Sequence, residues 1–443
     1  MIIYLTFFTL LAESIINYKI FSKSICSPPF MFSLGFTVAS ADLITMQSYW
    51  GVNLHWNTYF VICGGCLLFS VVCYLVKLFM KYLFPSNQKI AKLNGIPRVN
   101  GELKISNFKL YCILGFNILV ILLLSYKVIS VVRHYGRYSG ILSSFGVYAK
   151  LSKFSTRDTS LGKITLFYNI CRAGGYIWGN LLVMDYFKNK KINILLLFCF
   201  LSATLSTFIT GSRGGSVYML LSLLPSVYLC REKRILKKPL EFKYILLLAI
   251  ICTVGLFSFQ FLGAAIGRTT KEEVTPWTYV SIYLGAPIQN LDVFLQKPHK
   301  LPNVFGCTTF YYQIQSYAVN HNLSNLIYDF DLPFMNYNNH NAGNVFTTFY
   351  PFIYDFGYVG VLVLTGLMAL IVQTIYELMM KSIKSPFSFS RLLYLYEFPF
   401  IPLSFFSNKF YEGLNEGFAK LIVFWIFLYI LCIQNTYKFK LDE

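Results

Sequence analysis

Apolar runs, separated by short polar stretches, recur along almost the whole 443-residue chain. A helix needs ~20 mostly apolar residues to cross the ~30 Å hydrocarbon layer of a bilayer. About 11 runs meet that length, near 2–20, 30–48, 57–80, 110–132, 164–186, 192–210, 214–230, 244–266, 356–380, 392–407 and 419–436. No basic stretch precedes the first run and no small-residue cleavage site follows it, so it reads as a retained helix rather than a signal peptide. Only helices and closed barrels satisfy their backbone groups in lipid, and runs of this length suit helices. The expected fold class is therefore an all-α integral membrane protein with about 11 transmembrane helices. Residues 1–266 hold spans one to eight and residues 356–443 hold spans nine to eleven. The long stretch between them, 267–355, is expected to be one large extracytoplasmic loop containing short helices, because structureless loops of that length are uncommon.

Composition supports this reading. The chain is 56% hydrophobic and only 13% charged, against about 25% charged in soluble domains. A formal net charge of +19 would suggest nucleic acid in a soluble protein. Its distribution suggests orientation instead. Of 38 Lys and Arg, 22 fall in one alternate set of short connections and 13 in the other, longer set; Lys77, Lys127 and Arg172 lie inside runs. The positive-inside rule puts the richer set in the cytoplasm. The N-terminus is then outside, the C-terminus inside, and segment 267–355 outside with all five histidines. No nucleic-acid partner is needed. Cys63-Gly-Gly-Cys66 lies within a run and reads as helix packing rather than a thiolate site.

Several residues carry candidate chemistry. Thr210-Gly-Ser-Arg-Gly-Gly-Ser216 joins two runs with almost no connection, which puts Arg213 at the outer boundary at the start of a helix. Ser212 suits the N-cap, and Gly214 leaves room for a ligand beside free backbone N–H groups and the guanidinium. That pattern reads as an anion site, the alternative being a turn arginine that snorkels to the lipid headgroups. Arg268 ends the next outward run in a similar setting, and Arg172 lies about two turns inside a run, with Glu13 and Asp42 as alternative structural partners. In the outer segment, Tyr283 to Leu295 reads as a short amphipathic helix at the interface. Its Tyr283, Gln289 and Asn290, with Tyr312, Asn341 and Asn344 further on, suit carbohydrate. Aromatic faces cover sugar C–H surfaces, and amides pair with hydroxyls. His340, in Asn336-Tyr-Asn-Asn-His-Asn-Ala-Gly-Asn344, is a candidate general base. Asp355, in Asp355-Phe-Gly-Tyr-Val-Gly360, is a second catalytic candidate and otherwise reads as the N-cap of the ninth span.

Outward Gly-Ser-Arg-Gly, a large outer segment, and Asn-His-Asn-x-Gly-Asn leading into Asp-Phe-Gly-x-x-Gly together resemble the O-antigen/oligosaccharide repeat-unit polymerases, which are related to the O-antigen ligases. The resemblance covers about 190–380. It implies glycosyl transfer without metal or cofactor, from an undecaprenyl-diphosphate-linked glycan to a lipid-linked repeat unit, on the outer face of a bacterial cytoplasmic membrane. It also implies, as partners, the lipid bilayer, a chain-length regulator and a flippase. Arg213 matches the family's Ser-Arg-Gly arginine. His340 fits the ligase histidine, although Asn338 stands where the ligases carry another histidine. A flippase or other transporter, an O-antigen ligase and a membrane acyltransferase are the alternatives. A transporter would tend to show internal repeats and polar residues at the membrane midplane.

Overall fold

The computed structural model describes residues 1–84, 102–103, 105–138, 140–154, 159–210, 213–230, 275–297, 299–326, 332–381, 388–433 and 437–438. Along these the chain forms α1 (Ile2–Ile20), α2 (Pro28–Thr45), α3 (Gln47–Trp50), α4 (Trp56–Leu83), α5 (Asn107–His134), α6 (Ile141–Phe154), α7 (Ile164–Asn189), α8 (Ile194–Ile209), α9 (Arg213–Leu221) and α10 (Leu223–Leu229). Then follow α11 (Pro276–Leu284), α12 (Ala286–Leu295), α13 (Tyr311–Asn320), a hairpin of β1 (Met335–Tyr337) and β2 (His340–Gly343), α14 (Phe349–Lys381), α15 (Phe389–Glu397), α16 (Lys409–Gly413) and α17 (Glu416–Leu428).

The described residues are mostly helical. Among the described residues four helices are long and apolar enough to cross a membrane: α4, α5, α14, and α17 with its continuation to Ile433. Within the most apolar part of α5 only 22% of residues are buried in the protein. Leu119, Leu122 and Tyr126 point outward from it. A helix that is apolar on its outward face as well as its inward one belongs in lipid rather than water.

Most of the expected runs fold as helices at their predicted places. The eighth, 244–266, lies outside the described residues. The tenth, 392–407, is not one helix: α15 ends at Glu397 and two short 3-10 turns follow, Phe398–Phe400 and Pro402–Phe405. Pro399 and Pro402 each lack a backbone N–H and clash with the preceding turn, so an apolar run that is long enough still cannot continue as α-helix.

The described chain divides into two compact units. The first comprises Met1–Ser86, Thr275–Met379 and Glu397–Glu416. Its core stacks Phe32 on Phe69, with ring centroids 4.2 Å apart, and Phe36 on Phe349 at 5.3 Å. Polar side chains also join its helices: Asn17 Nδ2 donates to Pro29 O and to the Ser33 and Ser70 hydroxyls, and Ser14 pairs with Thr37. Such bonds satisfy polar side chains that are buried between packed apolar helices. The second unit comprises Asn87–Val274, Met380–Tyr396 and Gly417–Glu443. There Leu124, Val128 and Val132 of α5 pack with Phe145 and Tyr148 of α6 and Ile209 of α8. Trp425 Nε1 donates to Ala173 O at 3.1 Å.

The Asp-Phe-Gly-x-x-Gly motif is a kink. Gly357 sits at φ 63°, ψ −159° inside α14, a region essentially reserved for glycine. The kink brings Gly360 against the Phe352 carbonyl, where a Cβ would lie 2.2 Å from the oxygen. One glycine is required by conformation and the other by close approach.

Candidate active site

The segment between α11 and α14 folds onto the first unit as helices and a hairpin. α12 was expected as an amphipathic helix on the membrane interface and proves to be buried on every side from Ala286 to Asp292. Tyr283 belongs to the helix before it, because the chain breaks at Gly285 and restarts with Pro287 in the first turn. Tyr283 is half-buried, with its ring near those of Tyr279 and Phe406.

Much of the asparagine cluster is turn chemistry. Asn338 and Asn339 both have positive φ, 48° and 63°. They form the two-residue turn between paired Tyr337 and His340. A two-residue hairpin turn with positive φ at both central residues favours asparagine and glycine. Asn341 Oδ1 accepts from Gly343 N at 2.7 Å. The His340 ring lies flat on Tyr49 of α3, centroids 3.9 Å apart, and stays half-exposed. Asn344 is also half-exposed, and Tyr312 is exposed on α13.

Asn290 is fully buried and holds the hairpin. Its Nδ2 donates to Ala342 O and Val345 O, and its Oδ1 accepts from the Tyr337 hydroxyl at 2.9 Å. Its amide is thus committed within the protein. The neighbouring Gln289 is buried, and its Oε1 has no hydrogen-bond partner among the described residues.

Asp355 is also committed. It was expected at the start of the ninth span, but α14 begins at Phe349, and the carboxylate serves another part of the chain. It accepts from Thr308 N, from Thr309 N at 2.6 Å and from the Cys307 thiol at 3.4 Å. Burial and the Asp355 charge push the Cys307 thiol up to about 12. Nearby, Thr309 Oγ1 donates to Pro351 O, His299 Nε2 lies 2.8 Å from Tyr354 O, and Gln313 Nε2 donates to Tyr411 O and Leu414 O. The first two turns of α14 are the post to which His299 and residues 307–309 are tied, while Gln313 is held by the chain at 411–414.

Of the anion-site candidates, Arg172, Arg213 and Gly214 belong to the second unit. Ser212 and Arg268 lie outside the described residues. Arg213 opens α9, as the spacing predicts, with its side chain outside the described set. α9 is held against α8 by Ser216 Oγ, which donates to Thr204 O and pairs with Thr207 Oγ1 at 2.8 Å. At Gly214 a Cβ would meet the Tyr218 ring at 3.2 Å. Arg172 lies within electrostatic reach of the Tyr396, Tyr168 and Tyr176 side chains. Asp42, one of its expected alternatives, accepts from the Ser281 hydroxyl at 2.9 Å.

One constellation escaped the sequence reading. Asp292, on buried α12, meets His55 and Thr58 at the start of α4. A separation of 237 residues leaves no local motif to find. The available signal was a lone carboxylate on an otherwise uncharged helix. No family model, curated protein or solved structure matches this chain.

Proposed function

We propose that this chain is a membrane glycosyltransferase that polymerises undecaprenyl-diphosphate-linked oligosaccharide repeat units into a surface polysaccharide. The acceptor hydroxyl attacks the anomeric carbon of the lipid-linked donor, and undecaprenyl diphosphate leaves. The reading is carried by one observation: a folded segment, with half-open His340 at its hairpin, is tied to the entry of a membrane-long helix. A lipid-linked sugar approaches sideways from the bilayer and needs its transferase at that depth.

In this reading Arg213, with Ser212 and Gly214 beside it, binds the diphosphate through the guanidinium and the helix N-terminus. Arg268 and Arg172 supplement the positive charge. Charge neutralisation of a diphosphate leaving group is electrostatic stabilisation where negative charge builds up. Tyr283, Gln289, Tyr312, Asn341 and Asn344 are the sugar contacts, and His340 serves the acceptor side. Asn290 and Asp355 act by holding the elements that carry the others.

Complementation tests this. In the native host, deletion should collapse the polysaccharide to single repeat units, and re-expression should restore long chains. Arg213→Ala, present at equal level in the membrane, should not restore them. Long chains made by Arg213→Ala would sink the diphosphate role. Export of unpolymerised units only when the protein is present would identify a transporter. Orientation has its own check. Val319 on α13 is 64% exposed; a cysteine placed there should react in intact cells with a membrane-impermeant thiol reagent, mapped by mass. Silence there, with reaction in opened cells, would invert the proposed topology.

A further inference from the structure

We propose that His55 is the general base that takes the proton from the acceptor hydroxyl, and that Asp292 is its positioning residue. The inference rests on the transferase reading and names the proton acceptor, which that reading leaves unassigned.

Asp292 is enclosed, with its side chain 2% exposed, whereas the His55 side chain is 50% exposed. Both carboxylate oxygens are engaged at the head of α4. Oδ1 accepts from His55 N at 2.8 Å and from Thr58 Oγ1 at 2.5 Å, and Oδ2 lies 2.9 Å from His55 Nδ1. An ionised carboxylate only accepts, so Nδ1 carries the hydrogen. That fixes the tautomer and leaves the Nε2 lone pair free. Nε2 has no partner among the described residues. A helix staple needs only the Nδ1 side, which asparagine could supply. A fixed ring with an open acceptor nitrogen is what a general base requires.

Its place fits a lipid-linked substrate. Trp56, the next residue, is 48% exposed at the head of membrane-long α4, and tryptophan in that position marks the membrane–water boundary. The hairpin is close at hand in the chain: a Cβ on Gly51 would lie 2.8 Å from Asn338 Nδ2. The Tyr337 hydroxyl is pushed up by burial and by the Asp292 charge, so it stays protonated.

In the step, the acceptor O–H proton passes to Nε2 as the oxygen forms its bond to the anomeric carbon. The bond from that carbon to the diphosphate oxygen breaks, and its electron pair leaves with the lipid diphosphate. The imidazolium returns its proton to water, and the Asp292 carboxylate holds the ring throughout.

The decisive variant is His55→Asn, whose amide keeps a donor toward Asp292 and lacks Nε2. Membranes of the deletion strain, carrying the full-length variant and the host's own lipid-linked units, report repeat-unit incorporation. We expect about 100-fold loss or more for His55→Asn at unchanged membrane level. Asp292→Asn should lose about 10-fold or more and add nothing in the His55→Asn background, because the two act as one unit. Added imidazole should partly restore His55→Ala, which a purely structural role would not allow. Wild-type incorporation by His55→Asn at unchanged membrane level overturns the proposal. Unchanged polysaccharide after deletion of the whole gene overturns the transferase reading, and the assignment of His55 with it.

Discussion

Replacing Asp355 by alanine should destabilise the solubilised protein by on the order of 3 kcal/mol. The buried carboxylate is the acceptor for two backbone N–H groups, Thr308 and Thr309, and each buried donor left without a partner costs roughly 1–3 kcal/mol. Asp355→Asn keeps one acceptor oxygen and should cost less. The change has a chemical reporter beside it. In the wild type, Cys307 is enclosed and its thiol is pushed up to about 12 by burial and by Asp355. At neutral pH it is therefore protonated and inert to alkylation. Without Asp355 the charge is gone and the 307–309 turn loosens, so thiolate becomes available at lower pH. Thermal unfolding together with mass-mapped maleimide labelling checks both effects. An unchanged midpoint and a still silent Cys307 would show that Asp355 does not hold the turn.

Gly357→Ala should destabilise by about 1–3 kcal/mol through backbone strain alone. At φ 63°, ψ −159° an L side chain is strained, yet a Cβ there would meet nothing within 4 Å, so no collision confuses the result. Gly360→Ala should cost more, because its Cβ would drive into the Phe352 carbonyl at 2.2 Å and force the kink open. Both act through one bend, so the double variant should fall short of the sum. A Gly357→Ala protein that melts with the wild type would mean that α14 does not need this bend.

Most of the helices were legible because a long apolar run has few structural outcomes. Even the failure of the 392–407 run was written in Pro399 and Pro402. The motifs were harder to read. The same letters serve chemistry and backbone geometry, and the asparagines of 336–344 and the glycines of 357 and 360 turn out largely to serve geometry. Asn290 and Asp355 look identical in sequence whether they face a substrate or a neighbouring carbonyl or amide. Burial and partners separate the two cases, and both are long-range.

By itself, then, the sequence determined that this is a helical chain with helices long and apolar enough to cross a bilayer, and that Arg213 opens a helix. Those properties depend on neighbours within a turn or on the average polarity of a run. The tertiary structure alone decided that Asp355 ties down residues 307–309 and that α12 is buried. It also decided that Asp292 meets His55 across 237 residues. A buried carboxylate takes its partner from whatever the packing brings to it, and no local spacing encodes that choice.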